Sequence, residues 1–284
     1  MAAPLVIEGM LGMGDNIYQF PIVKHYAEHY QVTLKTPWPE VYEGLNVDFI
    51  KPTTRLRTQN KSIARNDATY KTAEPLAVKL HLTYTGWRRK GLPLYQGLLH
   101  SVNLKDIVYN LRIREAKQTR QNIAVVRPAT LRSEWMASSR NPGPQYIQWA
   151  IDYLRNKGLE VFVVADIDPP AEVYDGPRPR NAHYYFEKGE LSIKGMMDLV
   201  HQARVVVGGV GFLCPMAIAL GTPAVIIHGG AGGLNRPELI DAPGEGVLRH
   251  VLPLKYCPCS NQNHHCNKAI PLPILKEQLD CALC

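Results

Sequence analysis

The sequence lacks several features that would assign it to a specialised class of protein. None of its 284 residues belongs to an apolar run of about 18, so we expect no membrane-spanning helix. No basic region precedes the first apolar segment, Pro4–Glu8, which argues against a secretory signal. Charged residues make up 20% of the chain and apolar residues 45%, both close to globular averages, which excludes disordered and coiled-coil proteins. We therefore expect a folded, cytoplasmic protein.

Cysteine is also scarce, and its placement is uneven. Six cysteines are too few for a disulfide scaffold in a chain of this length, but five of the six lie between Cys257 and Cys284. Thiolates and imidazoles are good zinc ligands, although the single residue between Cys257 and Cys259 is shorter than the spacing of typical structural zinc sites. We favour reduced, buried thiols over a structural zinc ion, and both over a disulfide. The zinc alternative would use Cys257, Cys259, His265 and Cys266.

Basic residues outnumber acidic ones, 32 to 25, which gives a net charge of +7 and an isoelectric point near 9.0. Such a charge suits polyanionic partners: nucleotides, phosphorylated glycans, nucleic acid or an anionic membrane surface. An ordinary solvated surface accounts for the charge equally well. The densest basic run follows a tryptophan, and we take it as a candidate binding surface for such a partner: Trp87, Arg88, Arg89 and Lys90.

Apolar strands and helical segments alternate along two stretches of the chain. In the first, the strand Pro4–Glu8 is followed by a helix predicted from Asn16 to His29 and then by a second strand. The second stretch includes a helix predicted over Pro144–Lys157 between two apolar strands. Between the two stretches the pattern is weak, and it predicts one helix over Leu104–Lys117.

This β-α-β order predicts the α/β class, with two Rossmann-type domains that are each built on a parallel sheet and that face a cleft. We expect an N-terminal domain over residues 1–118 and a C-terminal domain over residues 119–266. We expect residues 267–284 to form a tail that packs back on the N-terminal domain.

Glycine-rich turns follow three of the predicted strands. Such turns let backbone amides approach a phosphate group, and ligands of open α/β sheets bind at the carboxyl ends of the strands. Tight packing between a strand and a helix explains glycine at any one of these turns as well. The candidates for binding a phosphate-bearing ligand are Gly12, Gly14, Gly208, Gly209 and Gly211.

Four segments resemble glycosyltransferase family 9, the ADP-heptose lipopolysaccharide heptosyltransferase group. Leu11–Pro21 is similar to the opening turn of that family, and Arg127–Pro142 is similar to its donor-phosphate loop. Val206–Pro223 is similar to the nucleotide-sugar segment, and Cys257–Ile270 to a cysteine-bearing stretch. The resemblance implies the GT-B architecture, in which residues 1–118 form the acceptor-side domain and residues 119–266 the nucleotide-sugar-binding domain. It also implies transfer of a sugar from a nucleotide-diphosphate donor to an acceptor hydroxyl, with inversion and with no metal ion required at the donor.

The resemblance assigns the role of catalytic base to Asp15, whose carboxylate can take the proton of an acceptor hydroxyl. The alternative is that Asp15 only caps the helix that follows. Arginines grip phosphate oxygens strongly, and Lys194 opens a predicted helix, where a cation needs a nearby anion. The expected donor-phosphate contacts are therefore Thr130, Arg132, Ser133 and Arg140, with Lys194 as a weaker candidate.

The acceptor stays open at this point. A lipopolysaccharide-type glycan is what the resemblance implies, and a hydroxylated base in DNA is another polyanionic acceptor that the basic run could attract. Val210 and Pro215 stand where the family has polar side chains. The alternative function is therefore a non-catalytic protein that binds a nucleotide sugar or nucleic acid.

Overall fold

The computed structural model describes residues 2–72, 75–104, 106–244, 246–261 and 263–284. Within these ranges the chain forms two parallel sheets with helices on their faces, which confirms the predicted α/β class and the pair of Rossmann-type sheets. No helix in the described ranges combines the length and the apolar character needed to cross a membrane.

The first sheet carries the N-terminal part of the site. Among the described residues, its five strands lie in the order β4-β3-β2-β1-β5 and all pair in parallel. Strand β1 lies between β2 and β5 and buries its apolar residues, and the half-buried glycine turn follows its carboxyl end. The elements are β1 (Pro4–Glu8), α1 (Met13–Ala27), β2 (Gln31–Lys35), β3 (Val47–Ile50), α2 (Arg57–Arg65), β4 (Tyr70–Lys71), β5 (Val78–His81), α3 (Thr85–Arg89) and α4 (Leu94–Ser101).

The second sheet carries the C-terminal part. In the described part of the chain, six parallel strands lie in the order β10-β8-β6-β11-β12-β13, and β7 and β9 form a separate antiparallel pair. The elements are β6 (Gln121–Arg127), β7 (Thr130–Arg132), α5 (Pro144–Asn156), β8 (Glu160–Val164), β9 (Glu172–Tyr174), β10 (Tyr184–Phe186), α6 (Ile193–Gln202), β11 (Ala203–Gly208), α7 (Leu213–Ala219), β12 (Ala224–Ile227), α8 (Gly232–Asn235), α9 (Pro237–Ile240), β13 (Leu248–Val251) and α10 (Leu272–Leu283).

The two sheets are joined by one continuous apolar core. Helix α1 packs against α7, and buried side chains of both, such as Ile17 and Leu213, belong to the same cluster. The connecting segment also contacts the C-terminal domain, because Leu111 donates its backbone N–H to the carbonyl of Pro243 and Ile113 donates to that of Ala219, at the end of α7. Close packing of these apolar side chains therefore holds the two domains in contact with each other.

Three expectations about local structure were wrong. Helix α1 begins at Met13, three residues before the predicted start, with Gly12 at its N-cap position. The predicted helix Leu104–Lys117 is not present in its described residues, which exclude Lys105; the nearby helix is α4 instead.

The third wrong expectation concerns the C-terminal tail. Helix α10 packs on β11, β12, β13 and α5 of the C-terminal domain rather than on the N-terminal domain. The reason is its apolar stripe, since Leu275, Leu279 and Ala282 are buried in the core beneath that face of the second sheet.

Candidate active site

A cavity of about 310 Å³ lies between the carboxyl edges of the two sheets, which confirms the expected cleft. Its volume is in the range of small-molecule sites, roughly 300–1,000 Å³. The N-terminal wall consists of the turn after β1, part of α2 and Tyr84, and the C-terminal wall consists of the loops after β6 and β11. The sequence-predicted residues at this cavity are Gly12, Gly14, Asp15, Arg88, Thr130, Arg132, Arg140, Gly209 and Gly211.

Asp15 lies in the first turn of α1 and lines the cavity. Its carboxylate accepts a hydrogen bond from the Tyr84 hydroxyl, with 2.7 Å between the two oxygens, and another from the Gly12 backbone. Burial raises the pKa of Asp15 above its ordinary value, against the opposing effects of Tyr84 and of the charge on Arg88. A raised pKa brings a carboxylate closer to the range in which a general base works best. Gly12 holds the N-cap position, and Asp15 at the third helical position reaches back to the Gly12 backbone, so its carboxylate also serves to cap the helix.

Arginines converge on the opposite wall. Burial lowers the pKa of Arg140, and the neighbouring charges of Arg132 and Arg88 lower it further. Burial also lowers the pKa of Arg127, to about 10. The Nε atom of Arg140 is buried without a hydrogen-bond partner among the described residues. Buried like charges with an unsatisfied donor are costly, and an anionic ligand would offset that cost.

The glycines play different parts. A Cβ on Gly12 would lie 2.4 Å from the Asp15 carboxylate, so glycine makes room for that side chain. A Cβ on Gly14 would lie 3.3 Å from the Phe212 backbone, across the contact between α1 and the loop after β11. Gly209 packs in the same way against Pro142, whereas Gly211 faces open space. Close approach to a phosphate is therefore sterically open at Gly211.

Three predicted donor-site residues lie elsewhere. Lys194 is exposed and pairs with Glu43, with 2.6 Å between Nζ and Oε1. Ser133 is exposed, and its backbone N–H donates to Ala171. Gly208 is buried within β11, beside the carbonyl of Arg127, and is not among the described residues that line the cavity.

The basic run divides into two parts. Arg88 lines the cavity and donates through Nε to the carbonyl of Leu234 at 2.9 Å, so it joins the two walls of the cavity. Trp87 stacks on His100 with 4.7 Å between ring centroids, and Lys90 lies over the Trp87 ring. Arg89 is exposed.

Helix α2 closes one side of the cavity with a stripe of cations at a spacing of four residues. Arg57 pairs with the buried carboxylate of Glu172 at 3.1 Å, and Lys61 pairs with Asp166 at 2.9 Å. Arg65 donates to the carbonyl of Leu191 at 3.0 Å. These contacts fasten the N-terminal domain to loops of the C-terminal domain, and residues four apart share one helix face.

Glu172 also holds the phosphate-loop candidates in place. Its carboxylate accepts from Thr130 at 2.7 Å and pairs with Nε of Arg132 at 3.0 Å. Asp166 and Asp168 form an Asp-x-Asp sequence of a kind that can hold a divalent ion, but both carboxylates already pair with Arg57.

Some residues of the site were not predicted. Arg127 was noted only as part of a similar segment, although a basic residue at the end of a central buried strand indicates a cavity position. Asn16 is fully buried and donates to the carbonyls of Met10 and Gly12, both at 2.9 Å, so it shapes the turn that carries Asp15. A polar residue on the apolar face of a predicted helix was the available signal.

The cysteine-rich loop differs from expectation in one ligand. Cys257, Cys259 and Cys266 come together with His264, and the four ligand atoms lie within 4.8 Å of one another. His265, which we expected in this set, is exposed and outside the group. All six cysteines are free, but of the five between Cys257 and Cys284 only Cys266 is buried, so the expectation of buried thiols is wrong for the other four.

No family model and no curated protein matches this sequence. Solved structures do match it over 99% of its length. TibC from enterotoxigenic E. coli H10407, an iron-containing dodecameric glycosyltransferase, is 14% identical with a TM-score of 0.64, and 76% of its chain is covered. A family 9 glycosyl transferase from Veillonella parvula is 12% identical with a TM-score of 0.61 and 97% coverage. The ADP-heptose lipopolysaccharide heptosyltransferase II of E. coli is 12% identical with a TM-score of 0.56 and 98% coverage.

Identities this low speak to the fold rather than to the activity. The shared architecture extends over both domains, and the cleft lies between them. The chain therefore has the GT-B-like, two-domain fold of the family 9 glycosyltransferases.

Proposed function

We propose that this protein is a glycosyltransferase that moves a sugar from a nucleotide-diphosphate donor to an acceptor hydroxyl with inversion. The observation that carries the proposal is the pairing, in one cavity, of a carboxylate with a raised pKa and a set of half-buried arginines. Inverting transfer needs both: a base for the nucleophile and positive charge for the departing diphosphate.

In this reaction Asp15 takes the proton of the acceptor hydroxyl as its oxygen attacks the anomeric carbon of the sugar. The bond between that carbon and the diphosphate oxygen breaks, and its electron pair leaves with the nucleoside diphosphate. Arg140, Arg127 and Arg132 stabilise the charge that develops on the diphosphate. The Tyr84 hydroxyl orients the Asp15 carboxylate through its hydrogen bond.

The donor class follows from the charge and from the neighbours. TibC forms a complex with ADP-D-β-D-heptose, which is a nucleoside diphosphate joined to a sugar. We propose a donor of that chemical class here, bound without a required metal ion, because the guanidinium groups supply the positive charge that a diphosphate needs.

The acceptor is proposed to be a glycan or another polyanion that approaches from the N-terminal side, where Arg89 and Lys90 are exposed. DNA with hydroxylated bases is the second acceptor to test. Attraction of a polyanion through these side chains would depend steeply on salt.

The test is a ligand screen followed by a donor-cleavage assay. The screen measures the melting temperature with UDP, GDP, ADP and CMP and with the matching nucleosides. A ligand at 100 times its Kd adds about 2.7 kcal/mol of stability. We expect a nucleoside diphosphate to stabilise the chain far more than its nucleoside does.

The cleavage assay then presents sugar derivatives of the stabilising nucleotide without an acceptor. Slow release of the nucleoside diphosphate supports a transferase. Tight binding with no release, with or without acceptors, would favour a non-catalytic binding protein. Failure of every nucleotide to bind would contradict the proposal as a whole.

A further inference from the structure

The loop between β13 and α10 gathers four side chains that the proposed transfer reaction does not use. Sγ of Cys259 lies 3.6 Å from Sγ of Cys266. Nδ1 of His264 lies 3.5 Å from Sγ of Cys257 and 3.3 Å from Sγ of Cys266. The sulfur atoms of Cys259 and Cys266 are too far apart for a disulfide, whose bond is about 2.05 Å.

These separations are the edges of a small tetrahedron. A zinc ion with bonds of about 2.3 Å to sulfur and about 2.0 Å to nitrogen places its ligands roughly 3.5 to 3.8 Å apart. Three thiolates and one imidazole in that arrangement form a closed set with no position left for a substrate, which is typical of a structural zinc site. We propose that Cys257, Cys259, His264 and Cys266 bind one zinc ion.

A bound zinc ion also accounts for the order of the loop. Its described residues between Val251 and Leu272 form no helix or strand. Loops this long without secondary structure are uncommon in compact domains, and a metal ion is one way to order them. The single residue between Cys257 and Cys259 is accommodated because the loop turns back on itself and brings His264 and Cys266 against them.

The zinc loop lies directly behind the cation wall of the cavity. The backbone N–H groups of Gly232 and Gly233 donate to the carbonyls of Cys257 and Cys259, at 2.8 and 3.0 Å. A Cβ on Gly230 would lie 2.4 Å from Sγ of Cys266, so the glycine turn after β12 is shaped to the loop.

A second set of contacts reaches the turn that ends at Arg140. Ser139 donates from Oγ to the carbonyl of Asn261 at 2.8 Å, and Lys268 donates to the carbonyl of Ser138 at 2.9 Å. The zinc ion therefore fixes the backbone on which Arg140 stands. The consequence for donor binding rests on the proposed function, whereas zinc binding and the ordering of this turn do not.

The first experiment measures metal content in the full chain after expression with zinc and removal of loosely bound metal. We expect one zinc per chain in the wild type. His264→Ala and Cys259→Ser should reduce zinc content by at least about tenfold. His265→Ala is the matched control, because it removes the neighbouring imidazole, and it should keep one zinc.

Should Cys259→Ser fail to fold, cobalt replaces zinc in the wild type. Tetrahedral thiolate coordination gives intense visible absorption and sulfur charge-transfer bands, which His265→Ala should retain. Substoichiometric zinc in the wild type, iron in its place, or equal zinc in His264→Ala and His265→Ala would each overturn the assignment.

The second experiment follows hydrogen exchange of segments 138–141 and 229–233 with and without a strong chelator. Faster exchange in both segments upon loss of zinc is expected, with segment 4–8 in β1 as the internal reference. Unchanged exchange would contradict the bracing role even if zinc is bound. Nucleoside diphosphate affinity, measured on the same samples, should fall with the zinc; if no nucleotide binds at all, the proposed function fails while zinc content and exchange still decide this inference.

Discussion

The two walls of the cleft carry different groups for the proposed reaction. The N-terminal wall offers the carboxylate of Asp15 and the phenol that hydrogen-bonds it, beside a second carboxylate, Glu40, and the paired cations of α2. The C-terminal wall offers the guanidinium groups of Arg127, Arg132 and Arg140. Burial acts on both walls, but it raises the pKa of Asp15 and lowers that of Arg140, because a buried environment disfavours whichever form is charged.

This difference separates the two tasks of the proposed reaction. The N-terminal wall is suited to accept a proton and the C-terminal wall to receive an anion. Because Arg88 and the α2 cations join the walls, the distance between the two functions is set by contacts outside the reacting groups. Substitutions on one wall should therefore affect one function and spare the other.

The largest expected effect is on the N-terminal wall. Asp15→Asn keeps the shape of the side chain and an oxygen that can accept the Tyr84 hydrogen bond, but it loses the base. Turnover should therefore fall by about 10²–10⁴-fold. Nucleoside diphosphate affinity should stay within about twofold of wild type. In the wild type the rate should decline as pH falls through the raised pKa of Asp15, because protonation removes the base.

The control is Asp48→Asn, which removes an exposed carboxylate paired with Lys71 outside the cavity. Initial rates and nucleotide titrations on the same preparations decide the matter. Near wild-type turnover in Asp15→Asn would show that Asp15 has only a structural role. A loss of nucleotide affinity as large as the loss of turnover would show that the two walls do not have separate functions.

The next effect is on the C-terminal wall. Arg140→Ala removes a buried guanidinium, and loss of a charge-assisted contact should weaken diphosphate binding by about 1.5–3 kcal/mol. Nucleoside binding should change much less. Calorimetric titration with both ligands measures the difference, and Arg204→Ala is the control, since Arg204 is exposed, donates to the carbonyl of Leu283 and is not among the described residues that line the cavity. Equal losses for nucleoside and diphosphate would place Arg140 away from the phosphates.

How far the sequence predicts these two walls depends on which interactions build them. The C-terminal wall rests on β6, β11 and β12, whose continuous apolar runs are enough by themselves to predict buried parallel strands. The predicted strand ends and the turns after them therefore lie near their observed positions. Arg140 was predicted because it belongs to the loop that follows such a strand.

The N-terminal side was harder to predict. Helix α2 has few apolar residues, and its cations Arg57, Lys61 and Arg65 are held by loops more than a hundred residues away in sequence. The local sequence pattern cannot predict ion pairs and hydrogen bonds between residues so far apart in the chain. The choice between His264 and His265 failed for a similar reason, because only the conformation of the loop decides which neighbour faces the thiols.

A third prediction concerns the support of the cation wall. A Cβ on Gly229 would lie 1.9 Å from the carbonyl oxygen of Asn141, so Gly229→Ala must displace the turn that carries Arg140. The overpacking should cost about 1–3 kcal/mol of stability and should also weaken diphosphate binding. Gly86→Ala is the matched control, because its Cβ meets open space and Gly86 is not among the described residues that line the cavity. Equal melting temperatures for the two variants would show that the turn shifts to fit the added Cβ without loss of stability, which would contradict this prediction.

The smallest effect is expected at the surface. The double substitution Arg89→Gln and Lys90→Gln should reduce the slope of log affinity against log salt concentration for polyanion binding, by up to about two phosphate contacts. Nucleotide affinity should not change. Arg88 is left intact because it lines the cavity. Binding of DNA and of a phosphorylated glycan at low and moderate salt measures the slope. Identical slopes for variant and wild type would remove this surface from the acceptor site.

The most direct measurement is the structure of the chain with a nonhydrolysable nucleotide sugar. Two opposed walls predict that the diphosphate lies within hydrogen-bond distance of the Arg140 guanidinium and that the anomeric carbon faces Asp15. A diphosphate bound away from Arg140, or a sugar turned away from Asp15, would contradict the division of labour between the two walls.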